Sequence, residues 1–351
     1  MFRTPLQWLI LTSITFTVFA GQGTPWDNVL EAVLFSSNPT DLDDSGETDV
    51  SDLLILISDW GPCGGCSSDF DENGIVNVTD LLTLIDAWGA NEIIDLDEID
   101  IDRAGVPCFA YGPDGELIQM FQWFPNKKDS TVDFIARRVS YDQGETWSAI
   151  QGIIWSGGPP PNSFSTQADP SLVLLEEGDN DEGIWRLFFT CDIDKVGPGL
   201  PKTYSAISDD GLHFTWEDWD TPRMEYSGYG LLDPSVIYFN GEYHYFAPVP
   251  GQSYGSVYAT SSDGYTFTQH DNIEIEDSFN TKFMGNPAVV DEKLYFFGTL
   301  ESDNAWNGIF YAERDDADNW TVLYEESGTV ADPAGIQTDE GILLFKTTLY
   351  N

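Results

Sequence analysis

The sequence predicts an all-β five-bladed propeller preceded by a small α module built on two acidic loops. Three observations carry this expectation. A 28-residue repeat of acidic loop plus apolar run fills residues 41–89. Five strand-opening motifs recur through residues 91–351. Between them lie Ser/Asp/Gly turns that each lead into an aromatic residue, in a chain with 32 Gly, 19 Pro and 14% aromatic residues, the texture of many short strands joined by tight turns. In order, the expectation is a signal peptide over 1–20, a linker over 21–40, the calcium module over 41–90 and the propeller over 91–351.

Arg3, the apolar stretch Leu9–Phe19 and the small residues Val18 and Ala20 form an export signal with its cleavage site, too short to span a bilayer. The protein is therefore expected outside the cell, where disulfides persist. Cys63 and Cys66, separated by Gly64-Gly65, are expected to pair locally; whether Cys108 and Cys191 pair stays open. With 14 Lys+Arg against 60 Asp+Glu, the formal net charge is −46. Such a surface repels phosphate backbones and anionic lipid heads, which excludes nucleic acid and membrane surfaces as partners.

The repeat is specific. Asp41-Leu-Asp43-Asp-Ser45-Gly46-Glu47-Thr-Asp49-Val-Ser-Asp52 precedes an apolar run ending at Trp60-Gly61, and Asp69-Phe-Asp71-Glu-Asn73-Gly74-Ile75-Val-Asn77-Val-Thr-Asp80 precedes one ending at Trp88-Gly89. Calcium takes six to eight hard oxygens, and a 12-residue loop supplies them from positions 1, 3, 5, 7, 9 and 12, with Gly at position 6. The ligands would be Asp41, Asp43, Ser45, Asp49 and Asp52, then Asp69, Asp71, Asn73, Asn77 and Asp80, with backbone carbonyls from Glu47 and Ile75. Two calcium ions are expected. The apolar runs have helical spacing, and no helix convincingly precedes either loop, so each unit reads as loop then helix. This pattern resembles the dockerin family, in its bacterial variant with a Cys-containing linker. The resemblance implies docking onto a cohesin-like protein through Val50-Ser51 and Val78-Thr79.

The strand openers are Asp169-Pro170, Asp233-Pro234, Asn286-Pro287 and Asp332-Pro333, with Asp102-Arg103 as a looser first member. Strand residues from 91–101 would complete the last blade and remove its open edge. Between the openers fall the box Ser140-Tyr-Asp142-Gln-Gly144-Glu-Thr146-Trp147 and shorter versions at Ser208–Phe214 and Ser261–Phe267, with a worn one at Asp315–Trp320. Asp and Ser bond turn backbone there and Gly takes the left-handed conformation, so these are structural hairpins.

The propeller resembles glycoside hydrolase family 43 and the fructosidase-type enzymes, and its boxes resemble those of sialidases. Family 43 implies a base Asp in the first blade, matched by Asp102, a tuning Asp in the third, matched by Asp233, and an acid Glu in the fourth, where this chain has Asn286. Glu225 or Glu301 could substitute. The catalytic candidates are thus Asp102, Asp169, Asp233, Glu225 and Asp332, with Arg103, Arg223, Asn286, Trp123 and Tyr229 for substrate binding. A sialidase would instead use Arg103, Arg186 and Arg223 to grip a carboxylate. The expected function is a secreted, glycan-active glycoside hydrolase. The alternatives are a non-catalytic carbohydrate-binding or scaffold-docked propeller, and a sialidase.

Overall fold

In the computed structural model the described residues are 28–36, 40, 42–43, 48, 50–71, 73–86, 93–95, 101–124, 134–158, 167–175, 185–193, 200–275, 280–302, 305–315, 318–339 and 341–349. The expected signal peptide lies outside them. The chain begins with strand β1 (Asn28–Ser36), followed by helix α1 (Val50–Ser58), strands β2 (Gly61–Pro62) and β3 (Ile75–Val76), helix α2 (Val78–Asp86), and strands β4 (Ile93–Asp95) and β5 (Ile101–Asp102). Four blades of antiparallel strands come next. The first is β6 (Ala104–Tyr111), β7 (Leu117–Trp123), β8 (Phe134–Ser140) and β9 (Gln151–Gly152). The second is β11 (Ala168–Leu174), β12 (Trp185–Cys191), β13 (Lys202–Ser208) and β14 (His213–Trp216), with β10 (Ile154–Ser156) added parallel on its outer edge. The third is β15 (Ser235–Phe239), β16 (Glu242–Pro248), β17 (Ser256–Ser261) and β18 (Thr268–Gln269). The fourth is β19 (Thr281–Val290), β20 (Lys293–Ser302), β21 (Ala305–Arg314) and β22 (Trp320–Ser327). The chain ends in β23 (Val330–Thr338) and β24 (Gly341–Leu349).

Two expectations are corrected here. Residues 91–351 do not hold five self-contained blades: they form four, and β23 and β24 belong to a composite sheet ordered β23-β24-β1-β4, with β5 also paired to β1. Nor is there a separate N-terminal dockerin-like module. β1, in the stretch expected as linker, pairs with β24 along its whole length, from Asn28 opposite Leu349 to Ser36 opposite Gly341. The two helices are therefore an insertion between strands of one sheet. The physical reason is edge satisfaction: β24 needs a partner for the backbone groups on its far edge, and β1 supplies it while pairing β4 and β5 on its own other edge. Leu30 of β1 is fully buried with Ile101, Ala104, Leu117, Phe121, Leu343 and Phe345.

The insertion has a small core of its own, Leu56, Val76 and Leu84, with Phe70 and the Cys63–Cys66 disulfide against it. Val50, Leu54 and Ile57 on α1, and Val78, Leu82 and Ile85 on α2, stay exposed at equivalent positions. Cys108 and Cys191 are both unpaired and buried in one cluster with Met120, Trp185 and Phe189; burial pushes each thiol up to about 12.

The first strands β6, β11, β15, β19 and β23 touch one another in sequence and close into a ring around the channel. The boxes sit in the turns between third and fourth strands. In the first, Ser140 donates to Asp142 Oδ1 (2.7 Å), which also accepts from Thr146 N (2.8 Å), while Gly144 N donates to Ser140 Oγ (2.7 Å). Arg137 then reaches the carbonyl of Asp210 in the next box (2.6 Å), and Arg186 that of Asp263 in the one after (2.9 Å), tying each turn to the preceding blade.

Candidate functional site: a cluster of carboxyl groups in the funnel

Four of the five first strands are interrupted near their openers, while β15 pairs with β16 in continuous register. Register shifts fall between Gly105 and Cys108, Ala168 and Ser171, Lys282 and Asn286, and Ala331 and Ala334. A bulge re-aims the side chain it carries. At the residue before four of the five opener prolines the backbone is left-handed: φ is 50° at Val106, 53° at Asp169, 50° at Asp233 and 47° at Asp332. A residue before proline strongly prefers extended backbone, and a β-branched one such as Val106 is a true outlier at positive φ. The same strain at four equivalent positions marks where the scaffold holds side chains against local preference.

This register assigns the first blade differently from the sequence reading. The member equivalent to Asp169 is Val106, followed by Pro107. Asp102 ends β5 opposite Val29 in the composite sheet, and its side chain lies outside the described residues. The signal was present: every other opener has proline second, which Val106-Pro107 keeps and Asp102-Arg103 lacks.

Hydrogen bonds link the ring. Gln122 Nε2 donates to Asp169 Oδ1 (3.2 Å) and Asp233 N to Asp169 Oδ2 (3.2 Å), which brings the Asp169 and Asp233 carboxyl groups together. Val236 N donates to Ser171 Oγ (2.9 Å), Ser235 Oγ to the Gly285 carbonyl, Asp332 N to Thr299 Oγ1 (3.0 Å) and Val106 N to Thr347 Oγ1 (3.3 Å). Asn286 Nδ2 donates to the Pro107 carbonyl (3.3 Å), joining the fourth blade to the first.

Burial decides the electrostatics. Asp169 is 7% and Asp332 3% exposed. Desolvation pushes Asp332 up to about 7, the charge of Asp169 adds to this, and Lys282 opposes it. Asp233 is raised well above the usual carboxylate range by desolvation first, then by Asp169 and Asp332, again opposed by Lys282. Asp169 is raised by desolvation and partly restored by the hydrogen bonds it accepts. Facing carboxylates do not ionise independently, so the group retains protons near neutrality. Asp332 Oδ1 is buried and has no hydrogen-bond partner.

The remaining candidates disperse. Arg223 is 6% exposed, stacked over Tyr265 at 3.5 Å and donating to the Thr221 carbonyl (2.6 Å). Arg186 is paired with Glu217 (3.0 Å). With both held in blade packing, the arginine trio of a sialidase is not assembled, and that resemblance is corrected. Arg103 sits at φ 57°, its carbonyl accepting from Phe124 N (2.8 Å). Glu225 is mostly exposed and pairs with Lys202 (2.9 Å). Trp123 packs against the Leu30 cluster, and Tyr229 is exposed beside Tyr226. Glu301 and Lys282, by contrast, form a buried ion pair at 2.5 Å. The sequence reading left Lys282 unnoticed, since one lysine in a strand has no pattern.

In the second acidic loop, oxygens of Asp69, Asp71 and Asp80 lie within 4.8 Å of one another. Backbone N–H groups hold them: Gly74 N donates to Asp69 Oδ2 (2.7 Å), and Phe70 N and Asn77 N donate to the two oxygens of Asp80 (2.9 and 2.8 Å). Asn73 Oδ1 accepts from Ile75 N (3.0 Å), and Asn77 Nδ2 donates to the Ile75 carbonyl (2.9 Å). Asp52 repeats the role of Asp80, accepting from Leu42 N (2.6 Å) and Asp43 N (3.2 Å). Asp41, Ser45, Glu47 and Asp49 lie outside the described residues. Converging carboxylate oxygens with no cationic side chain among them are a hard-oxygen set, which fits a hard metal ion.

No family model matches this chain, and no curated protein matches it. Among solved structures, the β-fructofuranosidase of Schwanniomyces occidentalis complexed with fructosyl-erythritol superposes with a TM-score of 0.51 at 14% identity, over 69% of this chain and 51% of that one. A variant of the same enzyme complexed with fructosylnystose gives 0.52 at 15% identity, with the same coverage. The likeness is one of fold. This chain spans about half the length of those enzymes. A family 117 glycoside hydrolase of Zobellia galactanivorans gives 0.49 at 13% identity, over 70% of this chain and 84% of that one. Among the described residues no helix is long and apolar enough to cross a membrane.

Proposed function

We propose that the protein is a secreted glycan-active hydrolase whose reaction takes place among the funnel carboxyl groups. The observation that carries this is the Asp332 carboxyl, buried, raised to about 7 and with Oδ1 unpartnered, close enough to feel the charge of the Asp169–Asp233 pair. Inverting hydrolysis needs a protonated acid and an ionised base about 6.5–9.5 Å apart with water between. In this reading Asp332 gives its proton to the leaving oxygen as the anomeric C–O bond breaks. The Asp169–Asp233 pair, sharing what charge it keeps, takes a proton from the attacking water. Val106 leaves a neutral gap between the two, room for a sugar ring.

The test is purified protein against a polysaccharide panel, reading both reducing-end release and retention. New reducing ends that vanish in Asp332→Asn support hydrolysis. Retention without release favours the second reading, a non-catalytic carbohydrate-binding propeller, for which Val106 in place of a first-blade carboxylate is the specific argument.

The insertion, in the same proposal, binds calcium in each acidic loop, and its exposed stripes on α1 and α2 meet the cohesin-like protein expected from the sequence. Site assembly couples to folding when ligands must converge. Calcium added to chelator-treated protein is expected to raise helical circular dichroism and protect residues 50–86 from proteolysis. Asp69→Ala with Asp80→Ala should abolish the response of the second loop. An identical spectrum and cleavage pattern in chelator and in calcium would remove the metal from this account.

A further inference from the structure

The fourth blade lacks a carboxylate at its strand opener, where Asn286 stands, yet four residues earlier the same strand carries the cation Lys282, whose charge is felt at Asp233 and Asp332. Lys282 lies opposite Thr299 immediately before the bulge of β19. Its Nζ meets Glu301 Oε2 on β20 at 2.5 Å, with the two side chains only 15% and 6% exposed. Glu301 is itself fixed, its N–H donating to the Asn280 carbonyl (2.9 Å). A buried ion pair is poor evidence of stability, because removing both charges from water costs about as much as their attraction returns. Its retention therefore calls for another reason. Thr299, which lies opposite Lys282 on β20, accepts from Asp332 N (3.0 Å), so the strand pair that carries the Lys282–Glu301 contact also holds the Asp332 backbone, and the lysine charge is felt at both Asp332 and Asp233.

We propose that Lys282, clamped by Glu301, is the fixed counter-charge of the funnel, a positioning residue that decides how many of its carboxyl groups are ionised when a substrate enters. Without it, three acids in a desolvated ring would hold more protons than a base–acid pair can use. With an unclamped lysine, the ammonium would settle on Asp233 or Asp332 and fix both ionised, leaving no acid. Glu301 draws part of the positive charge away and holds Nζ at a set distance. The inference deepens the hydrolase reading, but the charge relation exists whether or not a glycan is cleaved.

The experiment is a 13C NMR titration of the full chain labelled at aspartate Cγ, the Asp332 signal being assigned by its loss in Asp332→Asn. Lys282→Met is expected to move the Asp332 midpoint upward by about one pH unit or more, and Lys282→Arg to restore it to within a few tenths. Glu301→Gln, which frees the lysine charge, should move it downward. An unmoved midpoint in folded Lys282→Met overturns the proposal. Should that variant fail to fold, an unmoved midpoint in Glu301→Gln does the same. Because the readout is a titration, a protein that cleaves no glycan can still pass it, so failure of the hydrolase reading and failure of this one are separate results.

Discussion

In the proposed hydrolase Asp332→Asn is expected to cut turnover by orders of magnitude and, at the same time, to stabilise the protein above neutral pH. Burial pushes the Asp332 carboxyl up to about 7 from an ordinary value of 3.8. A group raised on folding contributes stability that is fully present below its unfolded value and lost as pH rises through its folded value, so wild type should weaken from about pH 4 to pH 7. Asparagine has no proton to lose and escapes that decline. Melting temperatures should favour the variant at pH 8 by several degrees and show no advantage at pH 4. Turnover should fall by roughly 10²–10⁴, the usual scale for removing a general acid. Asp142→Ala supplies the contrast. That carboxylate lies below the usual range because the Thr146 hydroxyl and amide and the Ser140 hydroxyl donate to it. Its contribution is present above the unfolded value and fades as pH falls. Its loss should cost roughly 1–3 kcal/mol of stability at neutral pH and leave turnover per folded molecule unchanged. A less stable Asp332→Asn at pH 8 would mean that the aspartate caps its strand and does no chemistry.

Removing residues 1–36 is expected to cost cooperative folding altogether. The deletion strips β24 of its partner along nine paired positions and uncovers the pocket that Leu30 fills. An unpaired inner edge of that length invites association between chains. Leu30→Ala, a milder change, should cost about 2–5 kcal/mol as a buried leucine truncated in a packed cluster. Size-exclusion chromatography and urea melts separate the two cases. A truncated chain that stays monomeric and melts cooperatively within a few degrees of wild type would show that β1 is dispensable.

Much of the funnel was legible because Asp169, Asp233 and Asp332 share an Asp-Pro opener, and the strain of that opener is written in local residue choice. The error at Asp102 came from weighing the acid above the proline, whereas the proline marks the bulge. β1 was invisible for a different reason. Its partner, residues 341–349, is about 300 positions away, and nothing in the sequence of Asn28–Ser36 says whether its edge meets another strand. The acidic loops were legible through spacing alone, and Asp52 and Asp80 accept equivalent backbone donors as that spacing requires. Lys282 and Glu301 lie on different strands, and only pairing β19 with β20 brings them together.

The seam between β1 and β24 also sets an order of events. During synthesis β1 emerges about 300 residues before its complement β24, a delay of roughly 15–60 s at ordinary rates of about 5–20 residues per second. Through that interval the apolar residues of β1 wait uncovered, and the β1–β24 seam cannot form until β24 has been made. Leu349 lies directly opposite Asn28, so a short peptide joining β24 to β1 would turn this long-range contact into a hairpin. The native ring would be the same object, reached by a chain that no longer has to wait for itself.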